Sequence, residues 1–144
     1  MDGEVFYKSG YNGTKHFSQW DVDHTDATGF AAAADDYMER GIDLNEQLIR
    51  NKPATFIMRV GGDAMIDAGI ANGDIVIVDR SVKASNGKIV IAVLNGEMLI
   101  RRLEKTFNKT RLIPDCKNLS PIDVDCPGAD FAVWGVVTYC IHAF

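Results

Sequence analysis

The stretch Gly61–Asp79, GGDAMIDAGIANGDIVIVD, gathers the residues best placed to do chemistry. Four acids, Asp63, Asp67, Asp74 and Asp79, fall within 17 residues. A calcium loop needs oxygen ligands at alternate positions and a late glutamate, and this spacing supplies neither. The carboxylates suit turns instead: Asp74 with Asn72 beside Gly73, and Asp67 beside Gly69. No lysine and helix follow Gly61-Gly62 to complete a phosphate-binding loop, so this pair is read as allowing close backbone approach. The three cysteines, Cys116, Cys126 and Cys140, form no CxxC pair. The three histidines, His16, His24 and His142, lack ligand-like spacing. Neither a metal nor another cofactor is therefore expected. Cys140 and His142 alternate on one strand and share a face, which is read as strand packing. Met58 and Met65 are assigned to the core rather than to a peptide groove.

The composition sets bounds on the function. A chain of 144 residues fits one domain, and a hydrophobic fraction of 47% is enough to bury a core. The net charge is −5, whereas a protein docking on a phosphate backbone favours a basic face. The nearest basic feature runs from Arg101-Arg102 through Lys105, Lys109 and Arg111 and is read as a solvated strand and turn. No direct nucleic-acid binding is expected. No apolar run reaches the roughly 18 residues that span a bilayer, and no apolar core marks a signal peptide at the N-terminus. No membrane association and a cytoplasmic location are the expectations. An odd cysteine count without a secretion signal also argues against a disulfide framework.

The elements that must position these residues follow from periodicity. Residues 1–34 scatter Phe6, Tyr7, Tyr11, Phe17 and Trp20 without a clean period and read as an extended arm. Residues 35–144 form the expected domain. Its helical signal lies before Pro53, with Asp43 and Glu46 spaced as a capping box and Leu44, Leu48 and Ile49 on one face. Tyr37–Arg40 could add a turn that Gly41 breaks, and Asn51-Lys52-Pro53 stops the helix. Strands are expected at Thr55–Val60, Ile75–Asp79, Lys88–Leu94, Glu97–Leu103, Thr110–Pro114 and Phe131–His142. Asn95-Gly96 marks a tight hairpin, the Asn108-Lys109 pair a second turn, and Gly135 a bulge or close approach. About six strands joined by short turns give a mostly β fold, a compact bent antiparallel sheet or partial barrel with one short helix.

The order of these features resembles a known family. Thr28-Gly29-Phe30 precedes Ile42-Asp43-Leu44-Asn45, and then comes Gly62–Asp79 with the pattern GD-x-M-x-x-x-G-I-x-x-G-D-x-x-x-V-D. Asn95-Gly96-Glu97, Leu112-Ile113-Pro114 and Trp134-Gly135-Val136-Val137 complete the series. The chain is similar, from about Thr28 onward, to the LexA/UmuD (S24) family of self-cleaving serine peptidases. Its organisation is closer to UmuD than to LexA, because the leading residues lack the two packed helices of a helix-turn-helix module.

The resemblance implies a Ser-Lys dyad that cuts a bond in the protein's own arm. Serine attacks the scissile carbonyl, a buried lysine kept neutral takes its proton, and backbone N–H groups hold the oxyanion. The nucleophile position falls on Ala64, whose methyl group cannot attack a carbonyl. The general-base position falls on Arg101, and arginine stays protonated. Arg102 would point to the other face, and Lys105 would lie roughly 13 Å along the strand. The oxyanion donors map to the backbone of Asp63 and Ala64. The scissile pair maps to Thr28-Gly29, where the family usually has Cys-Gly or Ala-Gly.

Three departures together imply a peptidase fold without self-cleavage. The resemblance implies an SOS-response accessory protein, a homodimer or a mixed dimer with an active relative, that binds a Y-family translesion polymerase subunit. A recombinase filament and the sliding clamp are further implied partners. The alternative is an active Ser-Lys peptidase captured as an inactivated Ala64 variant. The long apolar terminal strand is read as support for a dimer, since an exposed strand of that kind wants a partner.

Overall fold

After Pro53 the chain is dominated by short β-branched runs separated by Gly, Asn and Asp, and such runs bury best as a sheet. A computed structural model describes residues 5–10, 41 and 43–144. Among the described residues there are eight strands: β1 (Val5–Gly10), β2 (Thr55–Val60), β3 (Ile75–Asp79), β4 (Ile89–Leu94), β5 (Glu97–Thr106), β6 (Lys109–Ile113), β7 (Ile122–Asp123) and β8 (Phe131–Ile141). They form one curled antiparallel sheet in the order β1-β2-β3-β8-β4-β5-β6-β7. The mostly β, bent architecture with a short helix is thus as the sequence led us to expect.

Several details differ. β1 forms within the stretch read as an extended arm, and it pairs with β2 from Val5↔Val60 onward. β7 is only two residues long and carries too little pattern to be read from sequence. β5 continues to Thr106, so the loop of the second hairpin is Phe107-Asn108 rather than Asn108-Lys109. The first hairpin turns at Asn95-Gly96, where φ is 51° and 86°, the conformation that dipeptide favours.

The helix α1 (Leu44–Leu48) is a single short turn and a half. The Asp43 carboxylate caps it by accepting from the backbone and side-chain N–H groups of Asn45, both at 3.0 Å. Glu46 lies 4.0 Å from Lys52 across the following turn. Ile49 is buried whereas Leu44 is exposed, so the expected apolar face is only half used.

β8 is not the exposed strand that the dimer expectation assumed. Its first half pairs with β4, Leu94↔Phe131 to Val90↔Val136, and its second half pairs with β3, Asp79↔Val136 to Ile75↔Ile141. It therefore splices the β1-β2-β3 half of the sheet to the β4-β5-β6-β7 half. The splice occurs at Gly135, where a Cβ would lie 2.6 Å from Val78 Cγ1. The register shift between Ile91 and Ala92 lies at the same place, so Gly135 is both a bulge neighbour and a close approach.

Among the described residues, two apolar clusters fill the interior. One joins Met58, Val60, Ala64, Met65, Ile70, Val76, Val78, Ile91 and Ile100. The other joins Val90, Ala92, Leu103, Leu112, Val124 and Val136. Met58 and Met65 are core residues, as assigned. Among the described residues, no helix is long and apolar enough to cross a membrane.

Candidate functional site

The site is built on the loop between β2 and β3. Its base is closed by Val60 N–H on Asp74 O and Gly73 N–H on Val60 O, both 2.8 Å. Inside that base, Gly62 N–H donates to Asn72 Oδ1 at 2.7 Å, and Asn72 N–H donates to Asp63 Oδ1 at 3.1 Å. A 3₁₀ turn, Ile66–Ala68, follows and ends at Gly69 with φ 90°, which glycine reaches without a Cβ penalty. Ala64 and Met65 point into the first apolar cluster and are almost completely buried.

The loop is docked at its crown. Asp115 N–H donates to the Ala64 carbonyl at 2.9 Å, and Asp67 N–H donates to the Asp115 carbonyl at 2.8 Å. Asp115 lies two residues past the end of β6, so these two bonds lay the Ala64 loop against the segment that leaves that strand. The Asp63 and Ala64 N–H groups, mapped as oxyanion donors, have no acceptor among the described residues. A groove of about 600 Å³ opens here, lined by Gly62, Asp63, Ala64, Asp67, Cys116 and Leu119 among others.

Arg101 lies on β5, opposite Val90, and is 5% exposed. Its Nη1 donates to the Ile100 carbonyl at 2.8 Å. Its two chain neighbours connect it to the loop. Ile100 packs in the same cluster as Ala64, and Arg102 forms an ion pair with Asp115 at 2.8 Å. Arg101 is not among the groove's lining residues. The basic run is thus not a uniformly solvated face, as the sequence suggested. Arg101 is buried, Arg102 is tied to Asp115, and Arg111 is tied to Glu104 at 2.7 Å, while Lys105 and Lys109 stay exposed. Burial of Arg101 follows from its place mid-strand between Leu99 and Leu103, a position periodicity reads as interior whatever the residue. Thr28 and Gly29, the mapped scissile pair, lie outside the described residues.

One constellation was read too simply from sequence. Asp74 does serve its turn, accepting from Ala71 N–H at 2.9 Å through Oδ2. The same carboxylate also takes the Cys140 thiol at 3.4 Å, while its Oδ1 meets His142 Nδ1. Burial opposes charge on Asp74, but the Ala71, His142 and Cys140 bonds outweigh it and hold the carboxyl below its ordinary value. Burial and then the Asp74 carboxylate push the Cys140 thiol up to about 11, which makes it a poor nucleophile. The alternation of Cys140 and His142 was visible in sequence. Their meeting with Asp74 depends on the β3–β8 register, which places Val76 opposite Cys140.

The sequence model of the family described as Peptidase S24-like matches residues 22–138. The chain is 36% identical over 118 residues to Protein ImpA of Salmonella typhimurium, covering 79% of this chain and 77% of ImpA. It is 34% identical over 115 residues to Protein MucA of Escherichia coli, covering 80% of this chain and 78% of MucA. It is 42% identical over 114 residues to LexA repressor 1 of Xanthomonas campestris pv. campestris, but that match covers only 55% of the repressor. A family match over most of the chain and relatives matched over more than two thirds of their own length lead to one conclusion: the chain belongs to the Peptidase S24-like family, as a UmuD-like member.

Proposed function

We propose that this protein is a UmuD-like accessory factor of the SOS response that binds rather than cuts. It acts as a homodimer, or as a mixed dimer with an active relative, and engages a Y-family translesion polymerase. The observation that carries this reading is Ala64: a buried methyl group stands at the head of a groove whose scaffold is otherwise kept. Arg101 at the mapped base position adds to it, because a guanidinium cannot take a proton from a nucleophile. Losing both members of a unit that acts together removes nearly all covalent catalysis, leaving at most the N–H donors of Asp63 and Ala64. The segment before Thr28-Gly29, which includes β1, then stays attached, and the protein keeps its full-length form.

The test is direct. Purified protein is incubated with activated recombinase filaments, and separately at alkaline pH, and its mass is followed. The intact mass is expected throughout. A fragment beginning at Gly29 would overturn the reading.

A further inference from the structure

We propose that the end of β8 sets the shape of the groove beside Ala64 through a hydrogen-bonded relay that runs His142, Asp74, Ala71-Asn72, then Gly62-Asp63. Every link is present. His142 meets Asp74 Oδ1, and Asp74 Oδ2 accepts from Ala71 N–H at 2.9 Å. The next residue, Asn72, accepts from Gly62 N–H at 2.7 Å and donates to Asp63 Oδ1 at 3.1 Å. Gly62 and Asp63 are walls of the groove and directly precede Ala64. A signal at residue 142 thus reaches a segment adjacent to Ala64 without leaving the loop's own bonds.

The input end can respond to solvent. The His142 side chain is 51% exposed, while its Asp74 partner is 3% exposed. Without the histidine, the buried carboxylate keeps the Ala71 N–H and the Cys140 thiol and leans harder on Ala71. The other groups facing this cluster are the Cys140 thiol on β8, the Phe144 ring edge-on to His142 at 5.4 Å, and Arg59 on β2. Arg59 Nη1 donates to the Gly73 carbonyl at 2.9 Å, so a fixed cation braces the same turn from its far side. His142 and Asp74 are positioning residues: they touch no groove ligand and act through Asn72 and Asp63. The inference concerns control of the groove on which the proposed function rests, yet it is read without any binding or cleavage assay.

The full chain is labelled with nitrogen-15, and its amide spectrum is compared by NMR with that of His142→Gln at one pH. The amides of Ala71, Asn72, Gly62 and Asp63 are expected to shift, while the Lys109 and Thr110 amides, at the tip of the β5–β6 hairpin, stay still and report an intact fold. In an Asn72→Ala background, His142→Gln is expected to move Ala71 but no longer Gly62 or Asp63. Gly62 and Asp63 amides that do not respond to His142→Gln, or that respond equally without Asn72, would overturn the relay. Either result leaves the proposed binding function to its own test, since loss of coupling says nothing about cleavage.

Discussion

At the scale of single residues, the proposed function turns on Ala64 and Arg101. Ala64→Ser alone is expected to leave the chain uncut, because position 101 still offers no base. Ala64→Ser with Arg101→Lys is the combination expected to restore cutting, measured as appearance of the Gly29 fragment over time. Rapid cutting by the single variant would show that the base lies elsewhere. Asp74 carries a pH prediction. Its folded-state carboxyl is held below the ordinary 3.8, so its contribution to stability is fully present above that value. The contribution is lost as pH falls below 3.8 through the folded value. Asp74→Asn is expected to lower stability at neutral pH and to flatten that part of the acid limb, as measured by urea unfolding across pH. The residue types were legible at all these positions. The partnership of Asp74 with His142 was not, because 68 residues separate them and only the register of β8 on β3 brings them together.

At the scale of elements, the strands with strong apolar runs were readable and the weak ones were not. IVIVD and KIVIAVL announce themselves by β-branched density, whereas Ile122–Asp123 has no pattern to detect. β1 was hidden because its VFYKSG run breaks alternation and ends on glycine. The helix cap was correctly placed at Asp43, but the expected face is used unevenly: Ile49 is buried, Leu48 half-buried and Leu44 exposed. Gly135 was marked as a bulge or close approach, and both hold. Gly135→Ala is expected to cost about 1–3 kcal/mol, since its methyl group would collide with Val78 in a core that has no slack. Thermal melting measures this. An unchanged midpoint would mean that β3 and β8 can part locally at no cost. The Arg80 guanidinium, stacked 4.4 Å from the Trp134 ring centroid and bonded to the Trp134 carbonyl, fastens the strand on the other side of the splice.

At the scale of the molecule, the fold class was legible because strand density, turn chemistry and the ordered motifs agreed with one another. The sheet order was not, since nothing local tells β8 to insert between β3 and β4. That insertion also changes the argument for a dimer. A bare strand edge no longer supports it, but Ile141, the last paired residue of β8 at 43% exposure, and the fully exposed Phe144 beyond it form an apolar end. We expect sedimentation equilibrium to return twice the 15.8 kDa chain mass, and Ile141→Asp with Phe144→Asp to shift the protein toward monomer. A monomer mass in the unsubstituted protein would remove the homodimer from the proposed function.

The position of β8 also bears on the order in which the protein can be made. A ribosome releases β2 and β3 and then the β4-β5-β6 meander, and each of these can pair locally as it emerges. Among the described residues, no strand pairing joins the two half-sheets until Phe131–Ile141 has left the exit tunnel. Until then the nascent chain holds two apolar sheet fragments with open inner edges, the state most prone to capture by another chain. Synthesis and closure are therefore coupled through the last strand. Chaperone demand should peak late in translation, just before that strand is delivered.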